Sequence, residues 1–314
     1  MADPNYAFLF SLSIILIGFF LKKSHVFTKE DAKTLTKIIF NLTLPALIIK
    51  NLSSVEISWT LFIIPLLPIL YSVFLVSLVF FMLRNQPKEI KGLSLMTIIG
   101  FNIGNFAYPL IEGVYGSEGL KYLILFDLGN SFVIFGFCYL LGLIFSSKYS
   151  KNLENDVSES EKQKFFRIGY RMLTSGPIIG LLIAFVLNIG NITLSGFLSD
   201  LITIFAQSNM LIVLLVIGIL LEFQLDKEHL KIIFPILLTR YLFGLSIGIL
   251  LYLILPFSNL INLIIMISLI LPVGLAIIAY AVELEYSEEI TSALINISIV
   301  ISFCLMWILI LIFG

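Results

Sequence analysis

The sequence predicts an all-α polytopic membrane protein, with ten transmembrane helices arranged as two inverted five-helix repeats. Three observations carry that prediction. Hydrophobic residues make up 59% of the chain and charged residues 12%, with a mean hydropathy of +1.08, which is more apolar surface than the core of one soluble domain can hide. The apolar runs are continuous and long enough to cross roughly 30 Å of hydrocarbon, so they read as helices; barrel strands would alternate at every second residue. Finally, the basic residues sort by side: 16 of the 19 Lys and Arg fall in alternate connections, Lys50 and Lys121 fall on the other side, and Arg240 lies within a span. A missed or invented span would scramble that asymmetry.

In chain order, the first half supplies spans near residues 6–22, 33–50, 58–83, 92–115 and 119–146. The second supplies spans near 175–190, 196–221, 230–254, 259–283 and 289–313. The first run has Asp3 before it, a basic cluster after it and no small-residue cleavage pattern, so it reads as a retained span rather than a signal peptide. The positive-inside bias places both termini outside the cytoplasm.

An odd number of spans per half forces the second half to enter the membrane with opposite orientation, giving repeats at 1–146 and 174–314. Gly116-Ser-Glu-Gly-Leu120 after the fourth span has a weak echo in Tyr286-Ser-Glu-Glu-Ile290 after the ninth. Residues 147–173 form a polar cytoplasmic linker. Its end, Phe165 to Leu173, sets Arg167 and Arg171 four apart on one helical face, the pattern of an interfacial helix.

Several chemistries are excluded as expectations. Cys138 and Cys304 lie inside spans and read as apolar thiols, and His25 and His229 sit in separate loops without cysteine at ligand spacing. No metal cluster, Ser/His/Asp set or phosphate-binding Gly-rich loop appears, so neither an enzyme, a cofactor nor an intrinsic ATPase is expected.

Two spans carry proline where a membrane helix should run unbroken: Gly100-Phe-Asn-Ile-Gly-Asn-Phe-Ala-Tyr-Pro109 in the fourth and Leu271-Pro272-Val-Gly274 in the ninth. A break between Asn102 and Tyr108 would put Pro109 at the first position of an outer half-helix, where its missing N–H costs nothing. Pro272 would likewise open the half-helix running toward Glu283. Both N-termini would then face the midplane, offering free N–H donors and about half a positive charge each, an environment for an anion. Asn102, Gly104 and Asn105 add side-chain amides and permissive backbone at the gap.

These residues resemble the auxin efflux carrier family, which includes plant PIN-type exporters and bacterial malate-permease-like proteins. The resemblance rests on Asn41-Leu-Thr-Leu-Pro-Ala-Leu47 in the second span, Asn102 ahead of Pro109-Leu110 in the fourth, and Leu271-Pro272-x-Gly274 followed by Glu285-Tyr286 in the ninth. It implies a fold similar to sodium-bile acid symporters, with broken helices four and nine crossing at the site and an elevator-like movement against a scaffold. It also suggests a homodimer.

Other polar groups within spans have two readings each. Asp127 in the fifth span, one turn from Asn130, either couples transport to an ion or is a structural carboxylate bonded across helices. Arg240 in the eighth either holds a substrate carboxylate or pairs with Asp127, or else snorkels to the cytoplasmic interface. Asn41, Thr43, Gln207, Ser208 and Asn209 either line the cavity or serve as interhelical packing groups, and Asn296, Ser298 and Ser302 read as packing contacts.

Together these readings predict a secondary transporter of small organic anions in the plasma membrane. Dicarboxylates such as malate and aromatic monocarboxylates resembling indole acetate both fit. The expected partners are the anion and the lipid bilayer, with no nucleic acid. A sodium-coupled symporter of a larger amphipathic anion and a membrane receptor that binds without moving its ligand stand as alternatives.

Overall fold

The computed structural model describes residues 3–53, 59–146, 170, 174–222 and 227–314. The 147–173 linker, Arg167 and Arg171 included, therefore lies outside the described residues apart from Tyr170. Regular structure among the described residues is helical, with one isolated antiparallel bridge between Phe101 and Val273.

The helices are α1 (Pro4–Lys23), α2 (Lys29–Ile38), α3 (Leu44–Leu52), α4 (Trp59–Met82), α5 (Lys88–Ile98), α6 (Tyr108–Phe132) and α7 (Tyr139–Phe145). They continue as α8 (Gly176–Ile189), α9 (Gly196–Leu220), α10 (Lys227–Ile254), α11 (Asn259–Ser268), α12 (Ala276–Glu283) and α13 (Glu288–Phe313). Seven continuous helical stretches are long and apolar enough to cross a membrane, and Gly176–Ile189 and Asn259–Ser268 are shorter apolar helices. The longest stretch, Ile103–Phe145, bends at Gly116, whose φ of 59° and ψ of −154° are not helical. Glycine tolerates that backbone without a Cβ penalty. Large apolar side chains such as Phe81, Phe197 and Leu253 face outward, which suits hydrocarbon and not water as the surrounding solvent.

Three π-helical turns interrupt the α-helices, at Ile39–Thr43, Ile103–Ala107 and Val133–Cys138. The first two are each followed two residues later by a proline, Pro45 and Pro109. A wide turn there accommodates a ring that a regular turn would drive against the carbonyl four residues back.

The chain folds into two compact units, each gathered from both halves of the sequence. The first contains residues 1–61, 104–124 and 170–221. In it α1 lies along α9, and α3 packs against α8 and α9. The second contains residues 62–103, 125–169 and 222–314. Here α10 is the hub, packing against α5, α11 and α13, while α12 packs against α5, α7 and α13.

Candidate functional site: a crossing of two unwound segments

Both proline-bearing spans are broken, and the breaks meet inside the second unit. The first span loses helical structure at Ile99–Asn102, between the end of α5 and the π turn at Ile103. The second loses it after Ser268 and regains it at Ala276. The segments run antiparallel across the Phe101–Val273 bridge, and the Asn102 N–H donates to Pro272 O at 2.9 Å. Two details of the sequence reading are corrected. The first break lies upstream of the 102–108 interval, because the π turn absorbs the proline ring without ending the helix, so Pro109 is the second residue of α6 and not the opening residue of a half-helix. Pro272 lies inside the unwound segment, four residues ahead of α12.

Unwinding leaves carbonyl and N–H groups without helical partners, and side chains from neighbouring helices take up most of them. Arg240 of α10 is completely buried. Its Nη1 donates to Thr97 O and Ile98 O at 3.1 and 2.8 Å, and its Nη2 to Gly100 O, Leu271 O and Pro272 O at 3.1, 2.9 and 3.1 Å. Nε also donates to Leu271 O, at 3.3 Å. The guanidinium stacks over the Phe101 ring, 4.6 Å from its centroid. Arg240 thus turns inward onto backbone at the crossing and does not snorkel to an interface.

Asn130 of α6 holds Phe101 by both backbone groups: Oδ1 accepts from the Phe101 N–H at 2.8 Å and Nδ2 donates to Phe101 O at 2.9 Å. The same Nδ2 donates to Asp127 Oδ1 at 2.9 Å, so Asp127 buttresses the amide that grips Phe101. Gly100 adopts φ of 75°, with Cys138 Sγ and Ile134 close to where a Cβ would stand. Cys138 Sγ donates weakly to Ile99 O. Near Gly274, a Cβ would come within 2.8 Å of Ile134 Cδ1.

The second break is held by α13. Ser298 Oγ accepts from the Val273 N–H at 3.1 Å and Ser302 Oγ donates to Ile270 O at 2.7 Å, while the Tyr241 hydroxyl donates to Ser298 O. These serines read as packing contacts in the sequence. The available signal was their spacing of four on one helical face, opposite a span with a mid-membrane proline.

Some polar atoms at the crossing stay unmet. Asn102 is 4% exposed and its Nδ2 is buried without a hydrogen-bond partner, as is the hydroxyl of Tyr71, whose ring lies 5.9 Å from that of Phe101. The N–H groups of Gly274, Leu275 and Ala276, at the start of α12, make no hydrogen bond among the described residues. The arrangement therefore splits by sign. Carbonyls at the end of α5 and in both unwound segments are met by a cation, while the N–H donors at the head of α12 are open.

Of the predicted site residues, Asn102, Asp127, Asn130, Arg240, Pro272 and Gly274 come together in this unit. Asn41, Gly104, Asn105 and Pro109 belong to the first unit. There Asn41 is exposed, its Nδ2 donating to Lys37 O, and Asn105 is buried with Oδ1 unmet. Thr43 Oγ1 donates to Asn209 Oδ1 at 2.8 Å, a packing contact between α3's approach and α9, and Gln207 faces outward. Among the described residues no group of His, Cys, Asp and Glu is placed to hold a metal ion.

A family model described as "Membrane transport protein" matches residues 6–310, and this is the family whose motifs the two broken spans carry. The chain belongs to the auxin efflux carrier/membrane transport protein family. It is similar to an uncharacterized transporter of Methanothermobacter thermautotrophicus, 27% identical over 46% of this chain and 50% of that protein. It is also similar to an uncharacterized transporter of Methanocaldococcus jannaschii, 28% identical over 50% of this chain and 53% of that one. The matched region spans about half the length of these curated relatives. Family membership and the helical stretches make the chain a multi-span membrane protein of a transporter family.

Proposed function

We propose that the protein is a secondary transporter of small organic anions, not an enzyme, and that it holds its substrate at the crossing. The observation that carries this reading is the Asn102 side-chain donor, buried and unmet at the crossing, whose second strand leads into three open N–H groups at the head of α12. An unmet buried donor costs about 1–3 kcal/mol, and a carboxylate is the ligand that would relieve it most. On this reading the chain crosses the membrane ten times as two inverted repeats, 1–146 and 174–314. Both termini are extracytoplasmic, the 147–173 linker is cytoplasmic, and the protein sits in the cell membrane. The whole crossing belongs to one compact unit, which supports an elevator-like displacement of that unit as the alternating-access step.

Two measurements test this. Purified protein in liposomes should accumulate radiolabelled malate or indole acetate against a gradient, whereas a receptor would bind without accumulation. For the site, Asn102→Ala should weaken binding of the labelled anion by about one to two decades. Asn102→Asp should weaken it further by placing a like charge in the pocket. The reverse ordering in two folded variants would reject an anionic substrate.

A further inference from the structure

The five carbonyl oxygens around Arg240 lie at both breaks, Thr97, Ile98 and Gly100 at the edge of and within one and Leu271 and Pro272 within the other. The first two belong to the last turn of α5, where the helix has orphan carbonyls and the negative end of its dipole. A ring of backbone carbonyls at the ends of unwound helices is the ligand set that a hard monovalent or divalent cation takes in a membrane protein. Here that ring is filled by a side chain. Arg240 makes no ion pair with a carboxylate among the described residues, so its charge is balanced by dipoles, as a bound metal ion's would be.

We propose that Arg240 is a tethered cation: its guanidinium occupies a carbonyl cage that would otherwise demand a bound ion, and it keeps the crossing assembled without one. Arginine suits the task because it stays charged when buried and offers five donors in a fixed planar fork. Its stacking on Phe101, whose backbone Asn130 fixes, sets the fork's plane. The inference concerns this cage alone and holds for any substrate. Arg240 is thus a positioning residue, acting on a ligand through the backbone of residues 100–102 and 271–273.

The consequence is a sign that mere packing would not produce. In the intact protein the cage is loaded, so replacing choline chloride by sodium chloride at constant ionic strength should leave the melting temperature in detergent unchanged. Arg240→Ala should lower it by roughly 10 °C, since several carbonyls lose their donors together. That loss should be partly reversed, by about 3–5 °C, by sodium or by guanidinium held below about 50 mM, where its denaturing effect is small. Choline should not reverse it. In the same samples, hydrogen exchange at the Asn102 amide should be fast in Arg240→Ala with choline and slowed by sodium or guanidinium. If Arg240→Ala does not fold, Arg240→Lys and Arg240→Met, similar in reach and different in charge, decide: the lysine variant should melt at least about 5 °C higher. Equal melting of that pair, an Arg240→Ala protein indifferent to both cations, or an intact protein that sodium stabilises over choline would each overturn the proposal.

Discussion

Each unit is held by a joint, and the two joints are built on opposite principles. In the first unit α1 and α9 lie along each other as intact helices, pressed together at Gly18 and Gly218. A Cβ on Gly218 would fall within contact distance of the Ile15 carbonyl oxygen, and one on Gly18 would lie 2.5 Å from Leu215 O. In the second unit the crossing chains give up their helices and meet as extended backbone. The first joint satisfies its peptide groups internally and gains its stability from close approach in a lipid solvent, where small residues substitute for the missing hydrophobic drive. The second must import partners for its peptide groups: a guanidinium, an amide and two hydroxyls. One is a steric joint that tolerates no added atoms. The other is a polar joint that tolerates no lost donors, and only such a joint has open N–H groups to offer a ligand.

The largest effect is expected at Gly218. Gly218→Leu has no rotamer that avoids the Ile15 backbone, so α1 and α9 must separate along their length. We expect a loss of at least about 3 kcal/mol, read as a collapsed melting temperature or loss of the monodisperse species in detergent. Gly136, in the second unit, has open space around its Cβ position, and Gly136→Ala should stay within about 0.5 kcal/mol of the parent. A tolerant Gly218 would mean that close packing is not what joins α1 to α9.

Next in size is Asn130. Asn130→Ala removes the acceptor of the Phe101 N–H and the donor to Phe101 O together, leaving a buried peptide group unmet on both sides at a cost of about 2–3 kcal/mol. Asn130→Asp restores the acceptor but sets a carboxylate oxygen against Phe101 O and beside Asp127, so it should be less stable than Asn130→Ala. Thermal melting of the two variants reads the order directly. If Asp were the better substitute, the second oxygen would have found a donor, and the amide's two-handed grip would not be what holds the segment.

Much of this was legible in the residues. The span pattern, the two mid-span prolines and Asn102 picked out the two spans that break, because prolines in corresponding spans, one beside an Asn-rich stretch, are more than isolated kinks. What resisted reading was the partner of each polar group. Arg240 was visibly intramembrane, yet its destination depends on carbonyls that exist as acceptors only after α5 and α11 have unwound. Ser298 and Ser302 look like any small polar pair on a membrane helix until the chain opposite them loses its ladder. Pro109 misled for a related reason: a π turn can absorb a proline, and nothing in the residue types announces the wider turn. Composition reports which side chains need satisfaction. It does not report which backbone groups have been released to satisfy them.

The smallest effect separates the two joints most cleanly. Within the first unit, Thr43 Oγ1 donates to Asn209 Oδ1, while Asn209 Nδ2 is buried and already unmet. Thr43→Val keeps the shape and removes only the hydroxyl, so it should cost about 0.6 kcal/mol, the average for interhelical hydrogen bonds in membranes, and no more than about 1.7 kcal/mol, their maximum. Adding Asn209→Leu removes the orphaned amide altogether, and when both partners become apolar the cost nearly vanishes. The double variant should therefore melt closer to the parent than Thr43→Val alone. No such compensation exists for Asn130, whose partner is the peptide unit of Phe101 and cannot be substituted away. If the double variant were instead less stable than Thr43→Val, the first unit too would depend on its buried polar pair for more than packing, and the contrast between a steric joint and a polar one would fail.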